Sequence, residues 1–129
     1  MIIDAHAHVF EGINTFTGSG ELKALEFGKV KRGTGEVFRL LPPCFLKGNF
    51  PPEVLLEYMD WIGVDKAILL QGTLYGFYNE YVANAQSRWP DRFLGCALVD
   101  PMIREAPRVL EHAVEELGLR ALKFEISEG

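Results

Sequence analysis

The sequence predicts an α/β fold of parallel strand–helix units, about four strands in extent, with a long loop insertion after the first strand. Three observations predict it. Apolar runs of strand length alternate with helical stripes. The second, third and fourth runs start near residues 66, 93 and 120, a step of roughly 27 residues, the length of one strand–helix unit. The runs are apolar throughout, which suits strands covered on both faces. Alternating strands and helices imply parallel pairing with right-handed crossovers.

Met1 to Ala7 is short and apolar apart from Asp4 and His6, and reads as the first strand. Val9 to Phe50 carries seven glycines and no sustained helical period, so it is expected to be a loop or cap, with room for a short helix over Gly20 to Val30. Pro51 and Pro52 open a helix, where a missing N–H costs nothing. Val54, Leu55, Tyr58, Met59 and Ile62 form its apolar stripe, and Gly63 fits the position just past its end. Lys66 to Gln71 is the second strand. Asn79 to Trp89 is a helix stopped by Pro90. Arg92 to Val99 is the third strand. Ile103 to Leu117 is a helix, its start set near Glu105 by Pro107, and Gly118 ends it. Leu119 to Ile126 is the fourth strand. Trp61 and Trp89, near helix ends, are expected in helix–sheet packing.

The 129 residues are expected to form a single (β/α)4 segment, with 9–50 as the inserted cap. Hydrophobic residues make up 48% and charged residues 24%, an ordinary globular balance. A net charge of −5 argues against a nucleic-acid or acidic-membrane binder, which needs surplus Lys and Arg. Two cysteines, Cys44 and Cys96, are too few for a disulfide-built secreted fold and are expected to be reduced thiols in a cytoplasmic protein. Asp4 and two histidines interrupt the apolar start, so no secretory signal is expected. No apolar window reaches membrane-spanning length.

The chemistry concentrates at the first strand. Side chains alternate along a strand, so Asp4, His6 and His8 are expected on one face and Ala5 and Ala7 on the other. Two residues along a strand span roughly 6.6 Å. Two imidazoles on that spacing can lean together onto one ion, each nitrogen about 2.0–2.1 Å from a zinc. Asp4 is a third candidate ligand, or the acceptor that fixes a histidine's tautomer. A lone histidine is an ordinary packed or surface residue. Two at this spacing with an aspartate two residues earlier are far less common by chance. His112, on the third helix, reads as structural or surface.

Ile2-Ile3-Asp4-Ala5-His6-Ala7-His8-Val9-Phe10 resembles the opening of the amidohydrolase superfamily. The long loop and the spacing of later units resemble its amidohydrolase-2 branch, metal-dependent hydrolases of the TIM-barrel type that include aromatic-acid decarboxylases and lactonases. The resemblance runs along all of the chain as the N-terminal half of such a barrel. The His-x-His pair is its specific part. Gly63-Val64-Asp65-Lys66-Ala67 and Arg92-Phe93-Leu94-Gly95 match at pattern level.

The resemblance implies a divalent metal, zinc expected, with His6 and His8 as ligands, and hydrolysis of a small amide, lactone or ester through a metal-activated water. Further ligands in the family come from later strands. On the fourth strand Lys123 and Glu125 share one face, expected to be the barrel interior. In related proteins this strand reads Gly-x-Lys-x-His. Lys123 matches the lysine, and Glu125 stands at the histidine position. Each is a candidate ligand or acid–base group, and an internal Lys–Glu ion pair is the competing reading. Two alternatives stay open: non-oxidative decarboxylation of a small aromatic acid, and a catalytically inactive oligomeric half-barrel. Open sheet edges call for a partner, either a second copy or a completing chain.

Active-site residues of such barrels lie at the C-terminal ends of strands. That rule brings Gln71, Gly72, Tyr75 and Asp100 toward the site. Phe10, Phe16, Phe27, Phe38, Phe45 and Phe50 either wall a pocket there or pack as a small core of their own. Arg39 and Lys47 are candidate contacts for a substrate carboxylate, with a solvated role favoured for both, and Asp100-Pro101 reads as a turn.

Overall fold

A computed structural model describes residues 1–13 and 22–124. Its main layer is a four-stranded, wholly parallel sheet in the order β1 (Ile3–Ala7), β5 (Lys66–Leu69), β6 (Phe93–Leu98), β7 (Ala121–Lys123). Three helices, α1 (Pro52–Ile62), α2 (Asn79–Arg88) and α3 (Ala106–Glu115), precede β5, β6 and β7 in turn. This is the α/β architecture of a partial TIM barrel, with α1 as the sequence predicts and the other elements shorter at one or both ends.

The helices form for local reasons. Pro51 caps α1 in extended backbone and Pro52 opens it. Gly63 closes it at φ 79°, and both the Gly63 and Val64 N–H groups donate to Met59 O. That left-handed turn favours glycine. The helices and the sheet enclose one core. Ala7, Ala67, Leu69, Phe93 and Ala97 from the strands meet Leu55, Met59, Val82, Ala85, Ala113 and Leu119. The strand residues are small where a helix comes closest. Gly95 is the extreme case, since a Cβ there would lie 2.6 Å from Val82 Cγ1 and 2.7 Å from Leu119 Cδ2.

The segment after β1 differs from the expected open loop. Leu22–Ala24 (β2), Lys29–Arg32 (β3) and Val37–Arg39 (β4) form an antiparallel sheet of their own. Of the short helix allowed over Gly20 to Val30, the described part holds a three-residue 3-10 turn, Glu26–Gly28, broken by the left-handed backbone of Phe27. Lys29 to Arg32 carries no apolar stripe, and Phe27 and Gly28, at φ 59° and 70°, turn the chain between strands. Gly28 O accepts from Leu40 and Leu41 N–H, and a Cβ at 28 would collide with Leu41 O. The cap has a core of Phe10, Ile13 and Val30, against which Phe38, Phe45, Phe50 and Tyr75 pack. Of the two roles open to the aromatic residues, Phe10 and Phe38 show packing, while Phe45 and Phe50 pack on the cap core and also line a surface cavity with Pro51, Val54 and Tyr58. Phe27 is half-exposed, and Phe16 lies outside the described residues.

Trp89 packs on the core beside Phe93, as expected. Trp61 does not: it is 79% exposed, and Tyr58, Val54 and Ile62 on the same helix are exposed with it. The predicted stripe is therefore split, with only Leu55 and Met59 buried under the helix. No helix is long and apolar enough to cross a membrane. Gly95→Ala should lower stability by about 1–3 kcal/mol through overpacking, measured as a fall in urea midpoint at constant slope. A neutral or stabilising result would show that Val82 and Leu119 yield.

Candidate metal centre

The site starts with an irregularity in β1. Asp4 is registered with Ala67 and Ala7 with Leu69, so three steps on β1 match two on β5. The extra residue makes a bulge, which bends a strand and re-aims side chains. Asp4 Oδ1 accepts from His6 N–H at 2.9 Å, a bond that supports the bulge locally. The strict alternation expected for Asp4, His6 and His8 is broken here, because Asp4 is in register with a residue of the helix-facing side. Its carboxylate holds backbone, and it fixes neither ring.

Ala7 lies in the core, so His6 and His8 on either side of it face away from the helices. Their Nε2 atoms are 3.0 Å apart, with ring centroids at 4.9 Å. His8 Nδ1 lies 2.9 Å from Leu70 O. A carbonyl only accepts, so Nδ1 carries a proton, and in the neutral ring that leaves the lone pair of His8 on Nε2, facing His6. Two nitrogen donors thus converge on one point, with the second nitrogen of one ring held by backbone. That is the pattern of a metal-binding histidine and its orienting partner. The donor set fits a borderline divalent ion such as zinc. Among the described residues no group of three or more His, Cys, Asp or Glu side chains is assembled to hold a metal.

Leu70 was not legible as a site residue, because its contribution is a backbone carbonyl. It belongs to a stretch that is firmly held. Gln71 Nε2 donates to Asn79 Oδ1 and Cys96 O, both at 2.8 Å, and Gln71 Oε1 accepts from Tyr78 N–H. Asn79 Nδ2 donates to Leu98 O and Asn79 Oδ1 accepts from Leu98 N–H. Both amides are buried, and this network ties residues 71–79 to the C-terminal end of β6. Tyr75, within that loop, lies with its ring centroid 5.2 Å from that of His8 and stacks on Phe10 at 4.2 Å. Burial pushes the Tyr75 hydroxyl above its ordinary range.

The other predicted residues lie elsewhere. Lys123 is in register with Leu98 on β7, two strands removed from β1 by β5 and β6. Leu122 is in register with the core residue Ala97, so Lys123 points to the same helix-free side as the histidines. Three strand spacings separate it from them, roughly 14 Å across a flat sheet. Glu125 lies outside the described residues. Asp100 Oδ1 accepts from Met102 N–H, the turn expected of Asp100-Pro101. Arg39 donates to Phe27 O within the cap, and Lys47 is exposed. His112 is on the surface between Glu80 and Glu116. Cys44 is exposed and Cys96 buried, both free thiols, and burial raises the Cys96 pKa.

A family model described as "Amidohydrolase" matches residues 3–129. Among solved structures, the chain is similar to a probable 2-pyrone-4,6-dicarboxylic acid hydrolase from Acinetobacter baumannii with citric acid bound. The TM-score is 0.52 at 20% identity, over 95% of this chain and 37% of that one. The present chain therefore spans little more than a third of that protein's length, and the likeness is one of fold.

Asn79→Ala strands buried partners on Gln71 and Leu98. Each orphaned group costs about 1–3 kcal/mol, so this variant should lose roughly 3 kcal/mol by denaturant unfolding. Asn84→Ala, at an exposed position on the same helix, should change stability by less than about 0.5 kcal/mol. Equal effects would show that the network adds nothing.

Proposed function

The chain belongs to the amidohydrolase family, and from that premise we propose that it forms the His-x-His half of a metal-dependent hydrolase acting on a small amide, lactone or ester. The family generally uses a divalent metal. The observation that carries the reading is the convergence of His6 Nε2 and His8 Nε2 at 3.0 Å, with Leu70 O holding the far nitrogen of His8. His6 and His8 hold the ion, and zinc suits two imidazoles. When bound, the ion supplies Lewis acidity, activating water and polarising a substrate oxygen. Asp4 supports the pair by fixing the backbone of His6.

Two nitrogens anchor an ion but leave most of its coordination open. The remaining donors and the proton-transfer groups come from Lys123 or Glu125, if barrel curvature carries the fourth strand across the interior toward the histidines, from a second copy, or from further strands of a barrel. The free edges of β1 and β7 among the described residues, and the exposed Tyr58, Trp61 and Ile62, support completion by another chain or copy. A cytoplasmic location goes with the two free thiols.

Metal content and catalysis test the proposal together. Wild type should take up a divalent ion. His6→Ala and His8→Ala should each weaken that uptake by more than the roughly 100-fold that outer partners are worth. Hydrolysis of lactones or esters by the metal-loaded chain, alone or with its completing partner, should be lost in both variants. Unchanged metal content in the variants would overturn the site. Carbon dioxide release from hydroxybenzoates without lactone or ester cleavage would transfer the assignment to the decarboxylase alternative.

A further inference from the structure

We infer that Tyr75 is a positioning residue for His8: its ring, set by the clamped 71–79 loop, holds the His8 imidazole in the orientation that presents Nε2 to His6. The inference rests on the reading of His6 and His8 as metal ligands and adds a residue that the His-x-His motif does not contain.

Among the described residues, three groups approach the His8 ring from different directions. Leu70 O lies at Nδ1, His6 Nε2 lies at Nε2, and the Tyr75 ring lies beside it at 5.2 Å with an interplanar angle of 49°. The first two contacts define an axis through the ring, and rotation of the imidazole off that axis has to displace the tyrosine. The tyrosine has little freedom to move. Phe10 stacks on it at 4.2 Å with planes 16° apart, and Tyr75 N–H donates to Gly72 O at 3.0 Å. Gln71 closes the loop at one end and Asn79 at the other, each with two or more hydrogen bonds at 2.8–3.0 Å. The residue before Gln71 is Leu70, so the same clamp sets both the carbonyl at the His8 edge and the ring beside it.

Such a support lowers the reorganisation needed to bring two imidazoles to one ion. It acts through the aromatic ring, because the geometry that matters is ring against ring. Phenylalanine should therefore substitute for it and an aliphatic side chain should not. This separates positioning from any role of the Tyr75 hydroxyl.

The test combines imidazole NMR with metal titration on the full chain. At a pH where the ring is neutral, long-range proton–nitrogen correlation should show His8 of wild type in the Nδ1–H tautomer, and Tyr75→Phe should match it. Tyr75→Leu should show a mixture of the two tautomers. Zinc titration followed by calorimetry should show Tyr75→Phe within about twofold of wild type and Tyr75→Leu weaker by about tenfold, with His8→Ala losing the site. Wild-type tautomer and affinity in Tyr75→Leu, with a native circular-dichroism spectrum, would overturn the inference. So would an Nε2–H tautomer for His8 in wild type, a result that needs no variant to fold. Absence of zinc binding in wild type together with the tautomer change in Tyr75→Leu would overturn the metal reading and uphold the positioning role.

Discussion

The end of β1 is fastened to the end of β5 by backbone and side chain together. Leu70 N–H donates to Ala7 O at 2.8 Å, His8 Nδ1 donates to Leu70 O at 2.9 Å, and Ala7 and Leu69 lie side by side in the core. Parallel pairing sends both strands out of the sheet at the same end. Whatever follows β5 must therefore begin beside the histidines. The bulge between Asp4 and Ala7 is accommodated upstream of this junction, so His6 is turned while His8 stays in register with the strand end. Without the junction, the two imidazoles would be neighbours in sequence with no common target.

The loop after β5 uses that proximity. A loop next to a sheet end has buried polar backbone to satisfy, and Gln71 and Asn79 satisfy it for Cys96, Leu98 and Tyr78 in one network. The polar network and the aromatic contact meet at Tyr75. On its far side Tyr75 touches Phe10, which pairs with Phe50 through two backbone hydrogen bonds and joins the cap to the main sheet. The cap thus reaches the site through ring contacts, Phe45 stacked and Phe50 tilted on Phe10, and Phe10 stacked on Tyr75. Its own strands contribute no described side chain to the histidine pair.

The exposed apolar residues lie at the two edge strands of the sheet and along α1. Ile2 and Ile3 on the β1 side and Phe124 on the β7 side are at least half-exposed, and Trp61 stands in solvent. In a closed barrel each strand is paired on both sides and each helix is flanked by two others. Residues at such positions are the ones that neighbouring strands and helices cover in a closed barrel. Arg92 closes the opposite end of the sheet, bonding Asp60 on α1 and the carbonyls of Val64 and Asp65. This gives the Gly63–Lys66 and Arg92–Gly95 segments a structural use far from the histidines.

Strand and helix order was legible in the sequence because it is written in local periodicity: apolar runs, helical stripes, prolines at starts and glycines at ends. The His-x-His pair was legible because alternation along a strand is a covalent fact. The split of the α1 stripe was not, since Trp61 and Ile62 satisfy a helical period whichever face the sheet covers. The strands of the cap were missed because strands of three or four residues carry too little pattern to register. Only the tertiary structure placed the bulge that turns Asp4 onto its own backbone, the Leu70 carbonyl that sets the His8 proton, and the Tyr75 ring beside it. Each depends on contacts between segments more than 60 residues apart or on a backbone atom that every residue possesses, and neither leaves a signature in residue identity.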